Sequence, residues 1–260
     1  MKSKTYVNES IKNGCLMRWT FSPLKVYIAP MKFYSKQGED YKYRQMARRA
    51  LDEWQAAAKG KVSFKVVDNL LSSNINIEWK RVERKALGHC YFHFDGSNRL
   101  YGAEVSIGLT DGLVHHDYGS EDEVYHTILH EIGHALGLGH SPYKTDIMYT
   151  PHQKGIVKLS DCDKETLKWL YTFPQGKSSS EIASSYGVGG GNLDDVVYKI
   201  KHKQTESEFE KVKSEIKVPK RDLLEETEIL ANLRKYHMAL QNVHISDDMR
   251  KFFTKNQRKK

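Results

Sequence analysis

Residues 126–141 read HTILHEIGHALGLGHS. His130 and His134 are four residues apart, Glu131 adjoins the first, and His140 follows six residues after the second. On a helix, positions i and i+4 project from one face about a turn apart. Two imidazole nitrogens so placed can reach one Zn2+ at about 2.0–2.1 Å. Gly137 is a poor residue for the middle of a helix and a good one for an abrupt turn, because it tolerates positive φ. Such a turn folds His140 back beneath the helix as a third ligand. Three neutral protein ligands leave a fourth position for water, the pattern of a catalytic rather than a structural zinc. Glu131 is placed to take the proton of that water, as the glutamate of a helical HExxH does. The five fixed residues of HExxHxxGxxH would occur by chance in about one of 10⁴ chains of this composition, so a coincidental set of structural histidines is set aside.

Other histidines need a different reading. His126 lies four residues before His130 on the same face, but a straight helix cannot bring three successive turns to one small ion. It is expected at the helix surface or in support of a ligand. His89, His93, Asp95, His115, His116 and Asp117 match no ligand spacing, and solvent-facing positions are expected for them. Cys15, Cys90 and Cys162 are widely separated, with no CxxC pair, so a cysteine-based metal site is not expected.

The elements that must position the histidines follow from periodicity. LKVYIA (24–29), VSFKVV (62–67), INIEW (75–79), ALGHCYFHF (86–94) and AEVSIGL (103–109) read as strands, the last two separated by the turn-like DGSN at 95–98. Residues 41–58 carry apolar side chains at helical spacing and stop at Gly60. From about Ser120 the chain is acidic and then apolar at helical spacing through Val124, Ile128, Ile132 and Leu136, and acidic residues suit a helix N-terminus. SDCDKETLKWLY (160–171) reads as a closing helix, with Ser160 and Asp163 in capping-box spacing.

The chain has 260 residues, of which 39% are hydrophobic and 28% charged, so most of it should fold as a globular protein. No run of eighteen apolar residues exists, and no transmembrane helix is expected. MKSKTYVNESIKNGC lacks an apolar core, so it is not expected to be a signal peptide. Lys and Arg total 41 against 33 Asp and Glu, a formal net charge of +8 that favours acidic surfaces or partners. GKSSSEIASSYGVGGGN (176–192) is rich in Ser and Gly and is expected to be a flexible linker. Beyond it, 193–260 is charged, with Leu223, Leu224, Ile229, Leu230, Leu233 and Tyr236 near helical spacing and a basic end, KFFTKNQRKK. The expected organisation is a catalytic domain over 1–175, a linker over 176–192 and a partly helical basic tail over 193–260.

HEIGHALGLGH followed by DIMY resembles the metzincin metallopeptidases, and within them the matrixin branch. The family's HExxHxxGxxH falls on His130, Glu131, His134, Gly137 and His140, and its methionine turn on Met148. Ser141 stands where matrixins commonly carry serine, and Thr150 stands where an astacin-like enzyme would place a tyrosine ligand. The resemblance covers about residues 16–173, from RW at 18–19 to the LSxxDxxTLxxLY helix, and not the tail. It implies an α+β zincin fold: a twisted, mixed five-stranded sheet with one antiparallel edge strand, an active-site helix beneath it, and a small C-terminal subdomain after Gly137. It implies that ALGHCYFHF is the edge strand lining the cleft, and that Met148 is an apolar floor under the imidazoles. Three features depart from the family. No PRCGxPD motif surrounds Cys15, so latency through that cysteine is not expected. The 95–103 loop is short where animal matrixins hold structural zinc and calcium. The chain reads MYTPHQ where those enzymes read MYPxY.

The expected function is zinc-dependent endopeptidase action on a polypeptide, with Glu131 as the base, Zn2+ as the cofactor and no covalent acyl-enzyme. Two alternatives belong to other classes. One is an inactive zinc-binding adhesion or scaffold protein, for which an intact Glu131 has no use. The other is a binder of nucleic acid or membrane surfaces through the basic tail, which would show steeply salt-dependent binding that survives zinc removal. The resemblance suggests an extracellular location.

Overall fold

Alternating apolar side chains build the sheet in the computed structural model, which describes residues 4–31, 38–81, 87–109, 120–215 and 232–236. Two short strands, β1 (Ile11–Lys12) and β2 (Cys15–Leu16), form an N-terminal hairpin. They are followed by β3 (Leu24–Ile28), β4 (Phe64–Val67), β5 (Ile75–Arg81), β6 (Gly88–Phe94) and β7 (Leu100–Leu109), which make a five-stranded sheet in the order β4-β3-β5-β7-β6. The pairs β3–β4, β3–β5 and β5–β7 are parallel, and β6 runs antiparallel to β7 at the edge. This is the mixed sheet and the antiparallel edge strand that the family resemblance implies. Leu24, Val26 and Ile28 of β3, Ile75 and Ile77 of β5, and Val105 and Ile107 of β7 are all buried, as expected of strands covered by helices.

Helix α1 (Glu39–Ala57) packs against β4 and against α2 (Glu121–Ala135), and α2 in turn packs against β6 and β7. Ala47, Ala50, Leu51 and Trp54 of α1 and Ile128, Leu129 and Ile132 of α2 are buried. Ser120 caps α2 by accepting from the Glu123 N–H, and three acids occupy its first turn. At the other end the last carbonyls of a helix lack intrahelical partners. Trp19 Nε1 donates to the Ala135 carbonyl at 2.8 Å and the Tyr171 hydroxyl to the Leu136 carbonyl at 2.9 Å. Helix α3 (Asp161–Leu170) carries the expected capping box, with Ser160 and Asp163 bonding each other's backbone N–H. No helix among the described residues is long and apolar enough to cross a membrane.

The structure differs from the flexible linker expected at 176–192. Helix α4 (Ser179–Ser185) occupies this stretch, closed at its start by a Ser178–Glu181 capping box. Ile182 and Ala183 are buried, and Tyr186 meets the Phe173 ring edge-on at 5.6 Å between centroids. The Leu16 N–H donates to the Lys177 carbonyl and the Gly176 N–H to the Leu16 carbonyl, both at 2.9 Å. Serine-rich composition conceals a short helix because four of its serines serve as caps or surface residues while only two apolar side chains anchor it. Residues Lys4–Asp194 form one compact unit, and a second begins at Asp195. Helix α5 (Leu193–Glu215) begins the charged tail. Residues 232–236 are helical, whereas Leu223, Leu224, Ile229, Leu230 and the KFFTKNQRKK end lie outside the described residues.

Candidate metal centre

The turn after α2 forms as the glycine pattern requires. Gly137 has φ +96°, its N–H donates to the His134 carbonyl at 2.8 Å, and the Leu138 N–H reaches back to the Gly133 carbonyl at 3.1 Å. The chain reverses, and His140 returns to the face that carries His130 and His134. The Nε2 atoms of His134 and His130 are 3.1 Å apart, and those of His134 and His140 are 3.2 Å apart. Among the described residues this is the one group of three or more potential ligands whose donor atoms all lie within 4.8 Å of one another.

The protonation pattern tests whether the residues suit a metal. His130 Nδ1 lies 2.7 Å from the Ile147 carbonyl oxygen, and His134 Nδ1 lies 2.8 Å from the Leu138 carbonyl oxygen. A carbonyl only accepts, so each Nδ1 carries the proton and each Nε2 presents a lone pair. Two lone pairs at 3.1 Å repel unless a cation lies between them. A tetrahedral ion bound at about 2.0–2.1 Å needs nitrogens about 3.3–3.4 Å apart. Burial holds the His130 imidazole down to about 3 and that of His134 to about 4, and burial also lowers His140 at the rim. All three are therefore neutral at pH 7, the form that ligates. The residues fit zinc.

Glu131 lines the same cleft as the three imidazoles, on the side of the edge strand β6, and is 6% exposed. Burial pushes its carboxyl up to about 8, which makes it a stronger proton acceptor than an ordinary carboxylate. Gly88 of β6 passes directly over it. A Cβ at that position would stand 2.8 Å from both Cγ and Oε1 of Glu131 and 2.6 Å from Thr127 Cγ2. Gly88→Ala should therefore push the carboxylate aside. The expected result is retained zinc with peptide hydrolysis lowered about 10- to 100-fold, the scale of an ångström-sized misplacement. Metal analysis beside steady-state kinetics on one short peptide checks this.

Met148 is fully buried, and Gly133 leaves room for it: a Cβ there would lie 2.3 Å from Met148 Sδ and 3.0 Å from Trp54 Cζ2. The Ser141 N–H donates to the Met148 carbonyl at 2.8 Å, which ties the residue after the third histidine to the methionine turn. The imidazoles open into a cleft of about 710 Å3, bounded by β6, α2 and the Tyr149–His152 segment.

Sequence reasoning placed other residues less well. His126 is 2% exposed, not at the surface, and its Nδ1–H donates to the Ile156 carbonyl at 2.6 Å. Its ring contacts that of His152, whose Nε2 is hydrogen-bonded to the buried Glu123 carboxylate. Neither His126 nor His152 joins the cluster of possible ligands, and both line the cleft. No spacing rule finds His152, because it reaches the cleft only after the turn at Met148. His89 and His93 lie exposed on β6, though His89 also lines the cleft, and Asp95 accepts from the Ser97 and Arg99 N–H groups in the hairpin turn. His115, His116 and Asp117 lie outside the described residues.

Comparison with known proteins agrees with this geometry. Karilysin of Tannerella forsythia (strain ATCC 43037) is 29% identical over 187 residues, which are 66% of this chain and 37% of that protein. Matrix metalloproteinase-A of Caenorhabditis elegans is 26% identical over 101 residues, 39% of this chain and 19% of that protein. Probable matrix metalloproteinase 095L of Invertebrate iridescent virus 3 is 29% identical over 99 residues, 37% of this chain and 26% of that protein. The chain thus spans less than two fifths of the length of each of these relatives. The matrixin profile of peptidase family M10 matches residues 18–172, more than half of the 260 residues. Because that match takes in the whole five-stranded sheet, α2 and α3, and not the histidine run alone, the chain belongs to the matrixin family, whose metal is zinc.

Proposed function

We propose that the protein is a zinc-dependent endopeptidase. The observation that carries this reading is the convergence of three neutral imidazoles with a buried carboxylate in an open cleft beside the edge strand β6. His130, His134 and His140 would hold the ion, with Met148 as an apolar floor beneath them. Zinc, when bound, supplies a Lewis acid that acidifies a water and polarises the scissile carbonyl. Among the described residues the outer edge of β6 has no strand neighbour, so an extended peptide can pair with it through main-chain hydrogen bonds. Glu131 takes a proton from the attacking water, whose oxygen bonds to the carbonyl carbon. The carbon–nitrogen bond then breaks, and Glu131 delivers the proton to the leaving amine. An intact, buried base favours this reading over an inactive zinc-binding scaffold. The test is cleavage of a proteome-derived peptide library with and without chelator. Chelator-sensitive cuts at internal bonds are expected; cuts confined to terminal residues would contradict endopeptidase action.

The same reading extends the catalytic unit beyond residue 175 to include α4. A chain ending at residue 215 should match the full-length protein in thermal stability, zinc content and short-peptide hydrolysis. A chain ending at 175 loses the buried Ile182 and Leu193, the Leu16–Lys177 hydrogen bond and the Asp194 carboxylate that accepts from Thr5 and Val7. Burying each such side chain contributes about 2 kcal/mol, so a fall in melting temperature of about 10 degrees or more is expected in a calorimetric comparison of the two chains.

A further inference from the structure

The N-terminal strap, residues 4–16, precedes the segment matched by the family profile. It is nonetheless built into the core: Thr5, Tyr6, Val7, Ser10 and Leu16 are buried. Thr5 Oγ1 and the Val7 N–H both donate to Asp194 Oδ1, at 2.7 and 2.8 Å. The Tyr6 N–H donates to Thr166 Oγ1 at 3.2 Å, and its hydroxyl donates to Asp163 Oδ1 at 2.6 Å. Burial pushes the Tyr6 phenol well up, so it stays protonated and remains the donor.

Asp163 links this strap to the metal centre. Its second oxygen accepts from the Ser160 N–H at 2.9 Å and from the Ile147 N–H at 3.0 Å. The carbonyl of Ile147 is the acceptor for His130 Nδ1–H at 2.7 Å. A continuous path therefore runs from the Tyr6 hydroxyl through the Asp163 carboxylate and the Ile147 residue to the first imidazole. Every member of it before His130 is buried: Tyr6 is 1% exposed, Asp163 0% and Ile147 0%. A group that fixes the tautomer and orientation of a ligating imidazole tunes its affinity for the metal. The strap also meets the third ligand's loop. A Cβ on Gly139 would lie 2.4 Å from Glu9 Cβ and 2.6 Å from the Glu9 carbonyl oxygen, so the strap backbone seats directly against the residue before His140.

We infer that Tyr6 is a positioning residue of the metal centre, acting through Asp163 and Ile147 to hold the His130 imidazole, so that the strap outside the family segment sets how tightly the metal is bound. The inference rests on the ligand assignment proposed above. Packing alone would make Tyr6 a contributor to global stability, and stability does not alter the metal affinity of molecules that are already folded.

The test is zinc affinity of the full-length protein by chelator competition, at a temperature where the metal-free form is folded. Tyr6→Phe removes one hydroxyl and keeps the ring. The zinc dissociation constant is expected to rise about tenfold, the low end for removing a partner that supports a ligand. Thr166→Val loosens the Tyr6 backbone without touching its ring and should move the constant in the same direction by about threefold. Ile182→Val, remote from the path, should lower the melting temperature and leave the constant unchanged. Tyr6→Phe and Thr166→Val proteins that melt earlier yet bind zinc as tightly as wild type would overturn the inference alone. A wild-type protein that takes up no zinc would overturn the ligand assignment as well.

Discussion

Replacing Glu131 with alanine is expected to leave a folded, zinc-loaded protein whose peptide hydrolysis falls by about 10²–10⁴-fold, the range for losing a general base. Glu131 is not among the three ligands and makes neither of their carbonyl hydrogen bonds, so its removal leaves the ligands and their carbonyl partners intact. The loss should appear in kcat rather than KM, since the carboxylate carries a proton in the transition state and is not needed to seat the peptide. Glu131→Gln should behave alike, because the amide keeps the shape and loses the basicity. Turnover by either variant near the wild-type rate would remove Glu131 from the mechanism.

The second large effect concerns the metal. His134→Ala should lose most bound zinc and, with it, hydrolysis of any peptide. His134 is the central ligand: its Nε2 is 3.1 Å from that of His130 and 3.2 Å from that of His140. Two remaining imidazoles, one at an exposed rim, cannot enclose a tetrahedral ion. His126→Ala is the matched control from the same helix face. It removes a buried ring hydrogen-bonded to the Ile156 carbonyl, so it should cost stability while leaving about one zinc per chain. Elemental analysis of the two purified variants separates these outcomes; full zinc content in His134→Ala would break the ligand assignment.

The parts of this arrangement that were legible in the sequence are those governed by local geometry. His130 and His134 sit at i and i+4 on one helix, and Gly137 announces the turn that returns His140. The strands and α1, α2 and α3 follow from periods of two and of three to four residues. What stayed hidden depends on contacts between residues far apart in the chain. Gly88 has no local turn to make; its lack of a side chain matters because β6 crosses Glu131, forty-three positions later. Tyr6 reads as an ordinary aromatic residue until the fold sets its hydroxyl on Asp163, 157 residues away. His126 reads as either a surface residue or a support for a ligand because helical periodicity shows which face a residue occupies, not that the segment after Met148 covers it. The Ser-rich 176–192 stretch misled for another reason: composition averages over a window, while α4 needs only one capping box and two buried side chains.

The most direct test of the account is to strip the purified protein of metal and restore zinc stepwise while following hydrolysis of one internally quenched peptide. The account predicts no cleavage by the stripped protein and a rate that rises in proportion to added zinc, levelling at about one ion per chain. Cleavage at the original rate by protein shown by elemental analysis to be free of metal would contradict it.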